Sequence, residues 1–377
     1  MKNQTSEDSI VGKRKNRLII VVISILFLLL FALILLARNN HQFQDKIFEA
    51  ALKQRVQLPR AGLGGEQNLD IVFCGSGSPF PDPINKRGQP CLAVFAKNHF
   101  FLFDAGSDSA AKLAIYRLPL QKLDHVFFTH LHSDHFSGLG EIRLLTWVQG
   151  KSSPLKVLGP NGTKRTVEGY KEAYFMDSTF RIAHHGVNAL NPSGTTYQTQ
   201  EIQISKEEKS KVVFEDGAFK ITAFLVDHSP IKHAFGYRVD FGDRSLTISG
   251  DSIKHPNIIE FSKNADVLVH EALNPMMVKA LEKRFDKLGN KLAAKLMKDI
   301  LDYHTSPLEA AQTANKAKAK LLVLTHIVPP LPNALVERVF LREALKIREK
   351  DTILAFDGLH LRLPLGKKTI LKGDFRP

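Results

Sequence analysis

The chain has 377 residues, enough to bury the core of one large α/β domain or two smaller ones. Its composition, 44% hydrophobic and 24% charged with no low-complexity tract or repeat, excludes a disordered or fibrous protein. The formal net charge is +14; Lys2, Lys13, Arg14, Lys15 and Arg17 against Glu7 and Asp8 account for +3 of it, leaving +11 after residue 37. A body this basic suits anionic partners, or is a solvated surface.

Residues 18–37 (LIIVVISILFLLLFALILLA) hold one polar residue, Ser24, and as a helix would span about 30 Å, the thickness of a bilayer core. Leu35-Leu36-Ala37 makes a poor cleavage site, which favours a retained anchor over a signal peptide. Four basic residues at 13–17 precede the stretch and Arg38 follows it. That asymmetry predicts a single-pass inner-membrane protein with residues 1–17 cytoplasmic and the catalytic domain outside.

Residues 38–67 read as a juxtamembrane linker. Phe43, Ile47, Ala51 and Val56 predict a short amphipathic helix over 41–58, lying on the membrane or packed on the main domain, before a Pro/Gly-rich stretch at 59–65. From residue 68 the pattern changes to short apolar strands at 69–74, 91–96 and 99–104, a helix at 108–117 and a strand at 124–129. Cys74 and Cys91 fall in neighbouring strands, as a cross-strand bridge or as two buried thiols; two cysteines exclude a disulfide framework and a cysteine zinc site. Residues 160–210 are polar and loop-rich, an insertion or cap. Hairpins follow around Asp216-Gly217 and Gly242-Asp243. Helices dominate after residue 255, broken by strands at 266–270, 321–325 and 352–362, and 365–377 is a C-terminal tail. Two similar blocks of this kind suit two sheets packed face to face with helices outside.

The strand at 124–129 runs straight into Thr129-His130-Leu131-His132-Ser133-Asp134-His135. Imidazoles and a carboxylate are ligands that zinc accepts, and four of them in six positions would close a single tetrahedral ion. Shared between two ions, they leave positions open for water. His228, Asp251 and His326 each stand at the end of another apolar strand, where they could converge on the same sheet edge.

HLHSDH resembles the His-x-His-x-Asp-His signature of metallo-β-lactamase-fold hydrolases, and the ribonuclease Z and arylsulfatase-like branch is the most similar, over residues 68–364. FCGSGSPFPD resembles its glycine-rich opening, FLFDAGS its Asp-Gly turn and SGDS its bridging-aspartate motif. VHEA (269–272) and HTS (304–306) resemble its paired histidine loops, although the match is incomplete. The resemblance implies an α/β fold, a four-layer αββα sandwich, which would follow the N-terminal transmembrane helix read from residues 18–37. It also implies two zinc ions, or other divalent metals. His130, His132 and His228 would bind one, Asp134, His135 and His326 the other, and Asp251 would bridge them. Asp104 would hold a metal-binding histidine from behind.

Two such ions lower the pKa of a shared water, and the hydroxide attacks phosphorus, sulfur or carbon. Asp134, His304 and Glu271 are the expected catalytic residues, His304 protonating the leaving group and Glu271 orienting it. His270, His233 and the pair His184-His185 carry weaker expectations. GSGSP is followed by proline-rich PFPDPINKRG, which cannot open a phosphate-cradling helix, and no Gly-x-Ser-x-Gly elbow is present.

A phosphodiester or sulfate ester is the expected substrate, a small anionic one in preference to nucleic acid, because the domain is expected outside the cytoplasm. The substrate-gripping arm of ribonuclease Z is also not evident between His135 and His228. The alternatives are transfer-RNA 3′ processing by a cytoplasmic domain, or a non-catalytic metal-binding membrane protein. A homodimer is left open.

Overall fold

The structure, a computed structural model, describes residues 4–56, 58–60 and 62–376. The chain divides into two units, residues 1–58 and 59–377.

The first unit holds helices α1 (Gln4–Asn39) and α2 (His41–Arg55). Within α1, Ile19–Asn39 is long and apolar enough to cross a membrane, with side chains such as Phe27 and Leu28 exposed. Asn40 ends one helix and caps the next, its side chain accepting from the Phe43 amide at 3.1 Å. The expected amphipathic helix is therefore present, and it leaves Phe43, Ile47, Phe48 and Leu52 exposed.

The second unit is built on fifteen strands: β1 (Asn68–Gly75), β2 (Cys91–Ala96), β3 (His99–Phe103), β4 (Leu123–Phe127), β5 (Leu155–Gly159), β6 (Tyr197–Glu201), β7 (Ser210–Asp216), β8 (Phe219–His228), β9 (Ile231–Phe241), β10 (Arg244–Ile248), β11 (Val267–Leu273), β12 (Leu321–Val328), β13 (Thr352–Leu354), β14 (Leu359–Pro364) and β15 (Leu371–Asp374). Eight form one sheet in the order β15-β14-β1-β2-β3-β4-β5-β6, and seven form the other, β13-β12-β11-β10-β9-β8-β7. Helices α3 (Ser109–Ile115), α4 (Leu139–Val148), α5 (Thr163–Ala173) and α6 (Phe175–His185) follow strands of the first sheet. Helices α7 (Pro256–Phe261), α8 (Pro275–Lys287), α9 (Lys291–Asp299), α10 (Pro307–Ala317) and α11 (Ala334–Ile347) follow strands of the second.

Period-two alternation makes this a sandwich. Ile71, Phe73, Phe101 and Phe127 of the first sheet pack against Ile221, Tyr237, Val239 and Val323 of the second. The opposite faces bury against helices, Val72 and Val126 with Leu113 and Ile142, and Leu268 and Leu322 with Ala310 and Phe340. The fold is the four-layer αββα sandwich that the sequence implied.

Several local expectations need correcting. Residues 352–362 are not one strand: β13 and β14 lie in different sheets, because Asp357 between them turns inward to accept from the amides of Ser76 (2.9 Å) and Gly88 (2.6 Å). Residues 160–210 contain α5 and α6 and contribute β6 to the edge of the first sheet. The expected tail at 365–377 supplies β15, paired with β14. In the Pro/Gly-rich stretch, Arg60 donates to the carbonyls of Tyr116 and Phe375, so it is bound to the sandwich. Cys74 and Cys91 form a disulfide between β1 and β2, the alternative the sequence left open.

Candidate metal centre

The ligand-type residues come from strand ends along one edge of the sandwich. After β4, His130 and His132 leave the strand, and a short 3₁₀ turn (Ser133–His135) presents Asp134 and His135. His228 closes β8, and Asp251 follows β10. His326 arises differently. In the β11–β12 ladder Thr325 pairs with Glu271 and Ile327 with Ala272, so His326 is the unpaired residue of a bulge, with φ 47°. A bulge re-aims one side chain without ending the strand, and a non-glycine residue tolerates that φ only where its surroundings hold it.

Two clusters result. In the first, His132 Nδ1 lies 2.9 Å from His130 Nε2 and 3.3 Å from His228 Nε2. His228 Nδ1 donates to the Tyr303 carbonyl at 3.0 Å, which leaves Nε2 as the lone-pair atom. In the second, His135 Nε2 is 3.4 Å from Asp134 Oδ2 and 3.3 Å from Asp251 Oδ2, and His326 Nε2 is 3.3 and 3.2 Å from the same two oxygens. The sets His130–His132–His228, His130–His135–Asp251, Asp134–His135–His326 and Asp251–His304–His326 each bring donor atoms within 4.8 Å of one another. Asp251 thus reaches donors of both clusters.

This donor set could hold metal. Ligands about 2.0–2.1 Å from a tetrahedral ion stand roughly 3.3 Å from one another, the spacing found between these atoms. His135 Nε2 is moreover fully buried and, beyond its approach to the Asp134 and Asp251 carboxylates, makes no hydrogen bond among the described residues.

The electrostatics agree. Burial pulls His130 well below the ordinary histidine value and His228 down to about 4, which keeps both rings neutral and able to ligate. Burial also opposes charge on His135 and His326, but Asp251 and Asp134 outweigh it, holding His135 well above its usual value and His326 at about 9. Burial would raise Asp134 and Asp251, yet the facing histidines hold both carboxylates low. The pull of Asp251 and Asp134 that favours positive charge on His135 and His326 is one that a bound cation would also feel.

Asp104 stands behind His135. Its Oδ2 is 2.8 Å from His135 Nδ1, and Oδ1 accepts from the Thr129 amide at 2.8 Å. His304 Nδ1 lies 3.2 Å from Glu271 Oε1, which also accepts from the Thr305 amide at 2.8 Å. Burial pulls His304 down to about 4 and, with Asp251 nearby, pushes Glu271 well up. His304 also shares a donor set with Asp251 and His326, so the geometry offers it a ligand position as well as an acid's.

Other histidines stand apart from the donor sets. His270 is buried with Nδ1 2.8 Å from the Glu271 carbonyl, His233 is exposed, and the exposed His184 and His185 rings meet edge to face with centroids 4.6 Å apart. Sequence reasoning missed Tyr303, whose carbonyl orients His228, and Asp357, whose carboxylate anchors the glycine-rich segment. Neither lies in a recognisable motif. Being one residue before the HTS segment was the only available signal for Tyr303.

Comparison with known proteins agrees with this geometry. Residues 99–327 match the family described as "Beta-lactamase superfamily domain". The chain is 34% identical over 267 residues to a ribonuclease Z of Mycobacterium marinum, covering 70% of this chain and 88% of that protein. A metallo-beta-lactamase fold protein of Bacillus subtilis superposes with a TM-score of 0.54 at 21% identity, covering 81% of this chain and 100% of the other. Human tRNase Z, short form, superposes with a TM-score of 0.52 at 23% identity, covering 77% and 98%.

Proposed function

The chain belongs to the beta-lactamase superfamily, on its ribonuclease Z branch, and from that footing we propose that it is a dinuclear zinc phosphodiesterase acting on RNA. It is a metal-dependent hydrolase of ester bonds; the metal's identity and number, the substrate and the roles below are our reading. One observation carries it, the position of Asp251 between two donor clusters spaced for ligation. We assign His130, His132 and His228 to one ion, Asp134, His135 and His326 to the other, and Asp251 to both.

When bound, two such cations make a water acidic enough to act as nucleophile near neutral pH and stabilise negative charge on the reacting ester. The protein's own groups do the rest. Asp104 and the Tyr303 carbonyl fix the ring orientations of His135 and His228. His304 and Glu271 hold a proton between Nδ1 and Oε1, and His304 passes one to the departing oxygen. The basic body, +11 after residue 37, attracts a polyanion.

A second reading has its own support. The Cys74–Cys91 disulfide suits an oxidising compartment, and the apolar Ile19–Asn39 stretch suits an anchor with the sandwich outside the cytoplasm. There a small phosphodiester or sulfate ester would replace RNA. Full-length protein in detergent, assayed on precursor tRNA, an aryl phosphodiester and an aryl sulfate, separates the readings. Cleavage of precursor tRNA at its 3′ side is the expected result; turnover of the small esters with intact RNA supports the second reading, and no turnover of any ester rejects both.

A further inference from the structure

Helices α8 and α9 form a hairpin beside the site, since α9 leads through residues 300–302 into Tyr303 and His304. Its inner side packs Val278 and Met297 against Leu273 and Val328. Its outer side carries Leu292 and Leu296, one helical turn apart on α9 and 70% and 50% exposed, with Leu288 at the end of α8 also exposed, at 62%. In α9 the buried positions are Ala294 and Met297, so Leu292 and Leu296 lie on the side away from the core. Leucines lined up on an outward face gain nothing from folding and mark a surface that is covered by something else.

The charges around them identify what covers it. Residues 275–299 hold seven Lys or Arg against Glu282, Asp286 and Asp299. Lys291 pairs with Asp286 and Lys295 with Asp299, whereas Lys279, Lys283, Arg284, Lys287 and Lys298 are exposed and make no ion pair among the described residues. RNA would satisfy the cations and leave the leucines in water. An anionic bilayer face satisfies both, with cations at the headgroups and leucines among the upper acyl chains.

We propose that the α8–α9 hairpin docks on an anionic lipid surface and so holds the rim carrying His304 at the bilayer. The proposal rests on the anchored reading of α1 for the nearness of that bilayer, and it adds a second, peripheral contact that the anchor does not require.

The test uses full-length protein carrying Leu292→Trp, an exposed position, reconstituted into lipid nanodiscs with brominated acyl chains; the natural Trp147 is buried and supplies a constant background. In discs containing phosphatidylglycerol, roughly half of the introduced indole's emission should be quenched, because an interfacial helix sinks about 5–10 Å into the headgroup–acyl boundary. Quenching should fall away in pure phosphatidylcholine discs, in about 1 M salt where screening is within about 3 Å, and with Lys283→Glu and Lys287→Glu added. Protein that co-elutes with phosphatidylglycerol discs yet shows no quenching overturns the docking surface alone. Protein that does not co-elute with discs at all rejects the anchored reading and the docking with it. No quenching in phosphatidylglycerol discs, together with crosslinking to RNA that the charge reversals weaken, would assign the surface to RNA instead.

Discussion

Asp104 Oδ2 lies 2.8 Å from His135 Nδ1, and both Asp104 (φ 58°) and the facing His326 (φ 47°) hold left-handed backbone conformations. Non-glycine residues at such angles cost about 1–3 kcal/mol each, so the surrounding structure keeps two strained positions where the donor atoms meet. Asp104→Ala should lower metal affinity about 10–100-fold while the chain still folds, the range found when a ligand's supporting partner is removed. Metal titration against a competing chelator reads this directly; unchanged affinity would mean His135 needs no such support.

The fold was legible because its signals are local. Strands such as 91–96 and 99–104 are apolar runs bounded by turns, and both hairpins announce themselves through Asp216-Gly217 and Gly242-Asp243. What escaped depends on distant partners. Helix α6 carries Phe175, Met176 and Phe180 on one face but leaves them exposed, so its stripe lies within a polar stretch and marks no part of the core. The break between β13 and β14 depends on Asp357 reaching Ser76 and Gly88, some 270–280 residues earlier in the chain. The approach of His326 to Asp134 and Asp251 depends on a bulge whose existence only the β11 register reveals. The cysteine bridge likewise required knowing how β1 and β2 align.

His304→Ala should lower turnover far more than it lowers metal content, since proton donation is typically worth about 10²–10⁴-fold. The loss should be small on an aryl ester, whose phenolate departs unaided, and largest on an alkyl ester of the same acid. Equal losses on both, or a loss matched by missing metal, would make His304 a ligand, the position its donor set with Asp251 and His326 also offers.

Asp70 sets an acid limit on stability. Burial would raise its carboxyl, but hydrogen bonds from His360 (2.7 Å) and Arg362 (2.6 Å) outweigh that and hold it below the usual range. With the folded value depressed, the stabilisation is fully present above the unfolded value of about 3.9 and is lost as pH falls through the folded one. Asp70→Asn should cost about 3 kcal/mol at pH 7, as breaking a buried pair does, and should flatten the acid limb. Chemical denaturation of both proteins at pH 7 and pH 3 measures it, and an equally steep acid limb in the variant would place the acid sensitivity elsewhere.

Cys74 and Cys91 should be found oxidised in protein taken from cells under alkylating conditions without reductant. Replacing both with Ala should cost about 3 kcal/mol, the loop-closure value for a separation of 17 residues. Recovery of two alkylated thiols would remove the bridge and the support it lends to an extracytoplasmic sandwich.

The central claim is a metal pair joined through Asp251, and elemental analysis of purified full-length protein beside Asp251→Ala tests it most directly. The account predicts about two zinc equivalents in the natural chain, and at most one in a folded variant whose ester hydrolysis is lost. Equal metal content and equal activity in the two proteins would contradict it.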